Sequence, residues 1–303
     1  MSTGSNVVIL PRYVDANNVK DFLYLRDYLS LVRQLNCSVL ESSPYGHFVS
    51  VIVPAYKEEE YIADTLTDVV ARLRETRFRF EVLVILDYVP DDRTGFIVHK
   101  LRERFSELRL IEGAGKHGVG NAIRTGIKMG KGSIFVLVMG DHSESSFDLV
   151  KLVNAIAQGY DVSVGDRFKY GKPKDYPPLK YVANRCCNYL IKWLFRTPFS
   201  DVTNAFKAYN AKILKQLDLS SNGFEIFLEI PIKIFLRTSN VKIINIPVQH
   251  FVRKKKVAKL SLLKEGPRYI KIVFSLFIRI RRMKKTTGNY GIQVDQSCIF
   301  SID

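Results

Sequence analysis

The chain has 303 residues, 47% of them hydrophobic, so it can bury a full core and is not a mostly disordered chain. Its 46 lysines and arginines outnumber 30 aspartates and glutamates, and the net charge of +16 predicts an acidic partner: nucleotide phosphates, nucleic acid or anionic lipid. No run approaches the ~18 to 20 apolar residues that span a bilayer and no secretion signal begins the chain, so a cytoplasmic protein is expected.

The first 46 residues predict an N-terminal helical extension, because Phe22, Leu25, Leu29 and Val32 lie at helical spacing. Residues 47–251 then alternate strand-like and helix-like patterns, which predicts an α/β fold whose mainly parallel sheet is flanked by helices. The first five predicted strands are Phe48–Val53, Phe80–Leu86, Leu108–Ile111, Ser133–Met139 and Asp161–Val164.

The second half of this domain is predicted to add two helices and two strands to the same unit. The helices are Leu179–Phe195 and Gly223–Arg237, and the strands are Thr203–Tyr209 and Val241–Phe251. Ligands of such sheets collect at the carboxyl ends of the strands, so the residues just after each strand are the candidates for chemistry.

Carboxylates follow three of the predicted strands. Glu58 follows the first strand, Asp87 and Asp92 follow the second, and Asp141 and Glu144 follow the fourth. Carboxylates at one sheet edge suit a nucleotide-sugar, since one accepts from a base N–H and another holds a divalent cation on the diphosphate. Asp141 is the predicted metal ligand.

Eight short motifs occur in the following order from Phe48 to about Leu262: PAYKEEEYI, LDYVPDDRTG, HGVGNAIRTGIKMGKG, MGDHSE, GDRF, TNAFKAY, GFEIFLE and RKKKVAKL. This order resembles family 2 glycosyltransferases, and specifically the dolichyl-phosphate mannosyltransferase (polyprenyl-phosphate glycosyltransferase) branch. The resemblance implies a GT-A fold, a nucleotide-sugar donor, Mg²⁺ or Mn²⁺, and inversion at the anomeric carbon.

The resemblance also implies which residues bind the donor and the metal. The nucleotide-sugar residues it implies are Pro54, Tyr56, Glu58, Asp87, Asp92, Gly118, Gly120 and Asp141, and Ser143 or Glu144 adds an oxygen ligand to the metal beside Asp141. Gly118 and Gly120 open a helix whose free N–H groups would face the nucleotide. Three positions depart from the family: Lys57 stands where Asn is usual, and Tyr88 and Met139 replace aspartates.

The acceptor side is implied to be basic. Arg167, Lys207, Arg253 and Lys259 match basic family positions, with Lys207 in place of the usual Arg. A phosphate acceptor is already anionic and needs cations rather than a general base. Should the acceptor carry a hydroxyl instead, Asp201 or Glu225 would be the base.

Residues 252–303 are predicted to form a basic acceptor loop and membrane-interface tail, with thirteen Lys/Arg against one acid between Phe251 and Lys285. Within Tyr269–Lys285 an apolar stripe lies opposite a basic one, which is typical of a helix in an anionic membrane interface. The apolar stripe consists of Tyr269, Ile272, Val273, Leu276 and Ile280. Packing of this stripe on the catalytic domain is the alternative.

The sequence thus favours a glycosyltransferase that is peripheral on the cytoplasmic face of a membrane and moves a hexose, mannose or glucose, from a GDP- or UDP-sugar to a polyprenyl or dolichyl phosphate. Transfer to a sugar hydroxyl is one alternative. The other is a non-catalytic membrane or nucleic-acid binder on a decayed scaffold. Nucleic acid is disfavoured, because the tail's aromatic residues sit among apolar neighbours.

Overall fold

The computed structural model describes residues 46–87, 89–112, 117–238, 240–252 and 262–287, the side chains of the last segment only from 266 to 278. The predicted N-terminal helix, Arg253 and Lys259 lie outside the described residues. The boundaries proposed at residues 46 and 251 therefore stay predictions. No helix of the described segments is long and apolar enough to cross a membrane.

The strands of the described chain form one seven-stranded sheet in the order β3-β2-β1-β4-β6-β5-β7. Strands β1 to β4 are mutually parallel where they pair, β6 is antiparallel to both of its neighbours, and β5 and β7 are parallel. The strands are Phe48–Ala55 (β1), Arg79–Leu86 (β2), Leu108–Ile111 (β3), Ile134–Leu137 (β4), Val162–Asp166 (β5), Lys207–Asn210 (β6) and Ile243–Pro247 (β7).

Helices cover both faces of the sheet. They are Ile62–Arg74 (α1), Thr94–Arg102 (α2), Val119–Met129 (α3), Ser146–Ala157 (α4), Pro178–Phe195 (α5), Ala211–Leu214 (α6), Ile226–Arg237 (α7) and Leu262–Thr287 (α8). One core joins α1, α2 and α4 to the sheet, and the other joins α3, α5, α7 and α8 to its opposite face. Along β1, Val51 and Val53 enter the first core while Ile52 enters the second, as the pleat of a strand requires.

The predicted mainly parallel α/β sheet is confirmed, and β3 has the predicted bounds. The interpretation of the tail is corrected. Leu276 is buried against the second core, with Tyr269, Ile272 and Val273 packed beside it, and the Tyr269 hydroxyl donates to the Phe224 carbonyl at 3.1 Å. These four residues of the apolar stripe therefore face the protein, as the alternative held, and the side chain of Ile280 lies outside the described residues.

Candidate active site

The carboxyl ends of β2, β1 and β4 meet at one edge, because these strands are parallel and adjacent. Backbone hydrogen bonds continue this alignment past the strands, from the Asp87 N–H to the Ala55 carbonyl at 2.9 Å and from the Val138 N–H to the Ile52 carbonyl at 3.0 Å. The acidic segments predicted from the sequence are thus brought together.

The loop after β1 joins the loop after β2 through a hydroxyl. The Glu58 N–H donates to Thr94 Oγ1 at 2.8 Å, and this hydroxyl donates to the Asp92 carboxylate at 3.0 Å. Pro54 and Glu58 are buried, whereas Tyr56 is 43% exposed. Lys57 has a positive φ of 52°, a left-handed conformation. The half-exposed Tyr56 ring, with the Lys57 ammonium 5.8 Å from its centre, therefore lies at the rim of this edge.

Asp87 lies at the end of β2 with both carboxylate oxygens engaged. One oxygen contacts His117 Nδ1, and the other accepts the Gly118 N–H at 3.0 Å. Each carboxylate oxygen has a second lone pair, so Asp87 can still accept from a nucleotide base. The contact with His117 was not foreseen, since nothing in the sequence pairs residues 87 and 117.

The two glycines at the start of α3 allow the backbone of residues 221 and 222 to approach closely. A Cβ added to Gly118 would lie 2.4 Å from the Asn222 carbonyl oxygen, and one added to Gly120 would lie 2.4 Å from that of Ser221. The Gly120 N–H donates to the Asn222 carbonyl at 2.9 Å. This N–H is not free for a nucleotide, which corrects the predicted reason for that glycine.

Asp141 and Glu144 follow β4 in a tight turn. Asp141 Oδ1 accepts the Ser143 N–H at 3.1 Å, and Glu144 Oε2 accepts the Met139 N–H at 2.9 Å. Burial, with a contribution from the nearby Asp141 carboxylate, raises the pKa of Glu144 to about 8. A bound cation would favour the ionised form of Glu144.

This set of oxygen atoms fits a hard divalent cation. The described residues contain no group of three His, Cys, Asp or Glu side chains able to hold a metal alone. Mg²⁺ is commonly held by one or two carboxylates together with substrate phosphates. Asp141 and Glu144, with the buried Ser143 between them in the sequence, are the residues that would supply the protein's share of such a site.

Arg167 and Asp201 form a buried ion pair on the β5–β6 side of the site. Arg167 Nε and Nη2 donate to the two Asp201 oxygens at 2.7 and 3.0 Å. Asn188 and Thr203 donate to the same carboxylate at 3.0 and 2.9 Å. Burial alone would raise the pKa of Asp201, but Arg167 holds it below its ordinary value. Asp201 is saturated with donors and is unsuited to act as a base.

Lys207, predicted to hold the acceptor, is an interior cation. Its side chain is fully buried, and its ammonium donates to the carbonyls of Val202, Asn204 and Phe227. Burial lowers the pKa of Lys207 to about 7, which Asp201 opposes. All three ammonium protons have acceptors, so the sequence-based acceptor contact is corrected to a structural role.

Lys180, in the first turn of α5, is a cation that the sequence reading missed. Its Nζ lies 5.4 Å from the centre of the Tyr176 ring. Burial and then the Arg167 charge lower its pKa, while Asp141 raises it. Two packed rings connect Lys180 to Arg167, since the Arg167 guanidinium lies 4.9 Å from the centre of the Phe168 ring, which packs edge-on against Tyr176. Its position just after Pro177 and Pro178, at a helix start, was the available signal.

Glu225, the other predicted base, lies at the start of α7. Its Oε1 accepts the N–H groups of Asn222 and Gly223 at 3.2 and 3.0 Å, and the side chain is buried. It therefore holds the segment that covers α3. His250 is no base either, since burial and Arg167 lower its pKa to about 3.

Comparison with known proteins agrees with this geometry. Residues 50–218 match the profile of the family described as "Glycosyl transferase family 2". The chain is 26% identical over 259 residues to "Dolichol-phosphate mannosyltransferase" of Pyrococcus furiosus, covering 84% of this chain and 67% of the relative. It is 25% identical over 219 residues to "Polyprenol monophosphomannose synthase" of Mycolicibacterium smegmatis, covering 70% and 80%.

A solved structure shares the fold. Glucosyl-3-phosphoglycerate synthase from Mycobacterium tuberculosis, crystallised with Mn²⁺, uridine diphosphate and phosphoglyceric acid, superimposes with a TM-score of 0.59 at 18% identity, covering 81% of this chain and 82% of that one. At this identity the likeness establishes the fold alone. The predicted GT-A architecture is confirmed.

Proposed function

The chain belongs to glycosyl transferase family 2, and on that premise we propose that it transfers one hexose, mannose or glucose, with inversion, from a GDP- or UDP-sugar to a polyprenyl or dolichyl phosphate. The names of two relatives, a dolichol-phosphate mannosyltransferase and a polyprenol monophosphomannose synthase, support the acceptor class. We further propose that the protein works at the cytoplasmic face of a membrane.

The donor is assigned to the edge formed by β1, β2 and β4. Asp87 would accept from the base, Tyr56 would offer its exposed ring, and Asp141 and Glu144 would hold Mg²⁺ or Mn²⁺ at the diphosphate. Such a cation supplies positive charge to the departing diphosphate. The solved synthase crystallised with Mn²⁺ and uridine diphosphate supports this choice.

The acceptor is assigned to the cations Arg167 and Lys180. Arg167 uses Nε and Nη2 for Asp201 and Thr203, so Nη1 makes no hydrogen bond within the described part of the chain. Lys180 likewise forms no ion pair among those residues. A guanidinium Nη1 and an ammonium that border the same pair of packed rings, Phe168 and Tyr176, suit a phosphate monoester.

The reaction needs no general base. An oxygen of the lipid phosphate attacks the anomeric carbon, the bond from that carbon to the diphosphate oxygen breaks, and its electron pair leaves with the nucleoside diphosphate. The attacking oxygen is already anionic, so no proton has to be removed. Arg167 and Lys180 orient the phosphate on the face of the sugar opposite the leaving group, which inverts the centre.

The observation that carries this proposal is the saturation of Asp201 by Arg167, Asn188 and Thr203. Transfer to a sugar hydroxyl would need a base, but Asp201 is occupied by hydrogen bonds, and the one Glu225 oxygen without a partner among the described residues, Oε2, is buried away from solvent. The phosphate acceptor is therefore favoured over the hydroxyl acceptor.

Radiolabelled GDP- and UDP-sugars would test the proposal, each incubated with polyprenyl phosphate and Mn²⁺ or Mg²⁺, or with EDTA. We expect one labelled, mild-acid-labile lipid product that depends on the metal and has the inverted configuration. In parallel incubations with free sugars in place of the lipid, label found only on the sugars would contradict the proposal, as would no transfer from any donor.

A pair of variants would test the acceptor site separately. Lys180→Ala should raise the KM for polyprenyl phosphate about tenfold or more, because a charged hydrogen bond is lost, and should leave the KM for the donor unchanged. Lys180→Arg should retain most of the affinity. Lys174→Ala, at an exposed lysine six residues earlier, is the matched control. An equal effect of Lys180→Ala on both substrates would contradict the assignment.

A further inference from the structure

Helix α5 carries a second apolar face that points to solvent. Five of its large apolar or aromatic side chains are 51% to 76% exposed: Leu179, Val182, Tyr189, Leu190 and Trp193. At 100° per residue these positions fall within an arc of about 100°. They lie opposite the buried Asn188, Ile191 and Phe195. We call these five residues the outer face of α5, and contiguous exposed apolar patches of this kind mark interaction sites.

The chemistry of the outer face suits a lipid interface. Trp and Tyr combine an apolar ring with a polar group and are enriched where membrane meets water. Arg185, Lys192 and Arg196 project along one edge of the face at helical spacing. Arg185 donates to the Tyr189 hydroxyl at 2.6 Å and lies 4.8 Å from its ring centre. An apolar face bordered by basic residues is the pattern of a helix lying in a membrane surface.

The outer face is continuous with the candidate active site. Leu179, its first residue, directly precedes Lys180, whose Nζ lies 5.4 Å from the centre of the Tyr176 ring. On the opposite side of α5, Asn188 donates to Asp201 at 3.0 Å. The outer face is about 21 Å long, since its first and last residues, Leu179 and Trp193, are fourteen steps apart along the helix. A surface that touches this face therefore lies one helix thickness from the acceptor cations.

The neighbouring helix α8 carries exposed apolar residues of its own. Tyr269, Ile272, Val273 and Leu276 pack against the protein, but Ile270 and Phe274 are 71% and 62% exposed, and Arg268 and Lys271 are exposed beside them. Helices α5 and α8 contact one another. The chain's net charge of +16 complements anionic lipid.

We propose that the outer face of α5 docks the protein on an anionic lipid bilayer and presents the phosphate of a membrane lipid to Lys180 and Arg167. This inference rests on the proposed function, because the acceptor is taken to be a lipid. It assigns docking to α5, where the sequence had assigned it to the apolar stripe of α8.

The test uses Trp193, the only tryptophan of the chain. Full-length protein mixed with phosphatidylcholine–phosphatidylglycerol vesicles should show a blue shift of tryptophan emission and quenching by brominated lipid. A basic tail that binds vesicles alone would leave Trp193 in water. Bound protein with unshifted emission would therefore overturn the proposal, and so would a blue shift that follows protein concentration without lipid, which indicates a second copy.

Paired variants then locate the surface. Leu179→Glu/Leu190→Glu keeps Trp193 and should weaken vesicle binding about tenfold or more, because two apolar anchors become anionic. Phe96→Glu, at an exposed phenylalanine on α2, should bind like the parent protein. Equal binding by the double variant and the parent would contradict the proposal.

Transfer assays separate failure of docking from failure of the proposed function. The double variant should use a short-chain polyprenyl phosphate free in solution at the parent's rate, and should lose at least about tenfold with a long-chain acceptor in vesicles. Loss with both acceptors would contradict a docking role. No transfer by the parent protein from any donor would refute the proposed function, while the emission shift would still report docking.

Discussion

The donor edge and the acceptor side of the site differ in how their charged groups are held. At the donor edge, carboxylates accept from backbone N–H groups and hydroxyls of loops, as Asp141 does from Ser143 and Asp92 from Thr94. On the acceptor side, charges pair inside the protein, as Arg167 does with Asp201. We therefore expect a substitution at the donor edge to lower activity alone, and a substitution in the buried ion pair of the acceptor side to lower the unfolding free energy as well.

The largest expected effect is on transfer by Asp141→Asn. The amide keeps the shape and still accepts the Ser143 N–H, but it removes the charge at the diphosphate. We expect kcat/KM to fall about 100- to 1,000-fold, with a change in unfolding free energy below about 1 kcal/mol. Kinetics and urea unfolding measure the two quantities.

Asp68→Asn is the control for that variant. Asp68 is a half-exposed carboxylate that pairs with His142, next to Asp141, at 2.7 Å. It should change transfer little. If Asp141→Asn were fully active, or if it unfolded the protein, the donor edge would not differ from the acceptor side as described.

Asp201→Asn should show the opposite pattern. It leaves the Arg167 charge buried without a counterion, which costs about 3 kcal/mol of unfolding free energy. Urea unfolding measures the loss. The double variant Arg167→Met/Asp201→Leu should recover much of that stability, because it removes both buried charges, but it should stay inactive without the Arg167 guanidinium. A double variant with parental activity would exclude Arg167 from the acceptor site.

The sequence predicted the donor edge better than the acceptor side, for a physical reason. Short apolar runs bounded by turn residues, such as Leu108–Ile111, specify strands locally, and parallel order then brings their ends together. The ammonium of Lys207 is held by the carbonyls of Val202 and Asn204 in the turn before it and by that of Phe227 on α7, and no side-chain pattern in the sequence shows that these carbonyls point at it. A glycine at the start of α3 likewise does not reveal that residues 221 and 222 approach it.

The two helices with exposed apolar residues illustrate a second limit. The stripe around Leu276 and the stripe around Trp193 have the same periodicity, yet one is buried against the protein and the other is exposed. Periodicity identifies an apolar face, but not what covers it. Only the packing of α8 on α7 and the second core decides that.

Lys207, on the acceptor side, is expected to have a smaller effect, on how the unfolding free energy depends on pH. Its folded pKa of about 7 lies below its ordinary value of 10.5. Between these values the unfolded chain holds the proton and the folded chain does not, so this residue's contribution to stability rises with pH. The unfolding free energy of the parent protein minus that of Lys207→Met should therefore increase by about 2 kcal/mol from pH 7 to pH 9.

The control for this pH effect is Lys212→Met, at an exposed lysine five residues along the chain. The difference in unfolding free energy between this variant and the parent should be the same at both pH values. Urea unfolding at the two pH values measures both variants. A flat difference for Lys207→Met would mean that its ammonium remains charged in the folded protein, held by its three carbonyl acceptors.

The smallest expected effect belongs to the donor edge, at Lys57. Its φ of 52° is costly for a side chain with a Cβ, and asparagine adopts this region more readily than lysine does. Lys57→Asn should therefore raise the unfolding free energy by about 0.5 kcal/mol, seen as a small rise in Tm, and leave transfer within about threefold of the parent.

Lys128→Asn makes the same exchange at an exposed position in α3 and should instead lower stability by a few tenths of a kcal/mol, because asparagine is the poorer helix former. If both variants lost stability equally, the positive φ of Lys57 would not be a source of backbone strain at the donor edge. If Lys57→Asn lost transfer while gaining stability, the lysine ammonium itself would act on the donor, and the strained backbone would be the cost of placing it there.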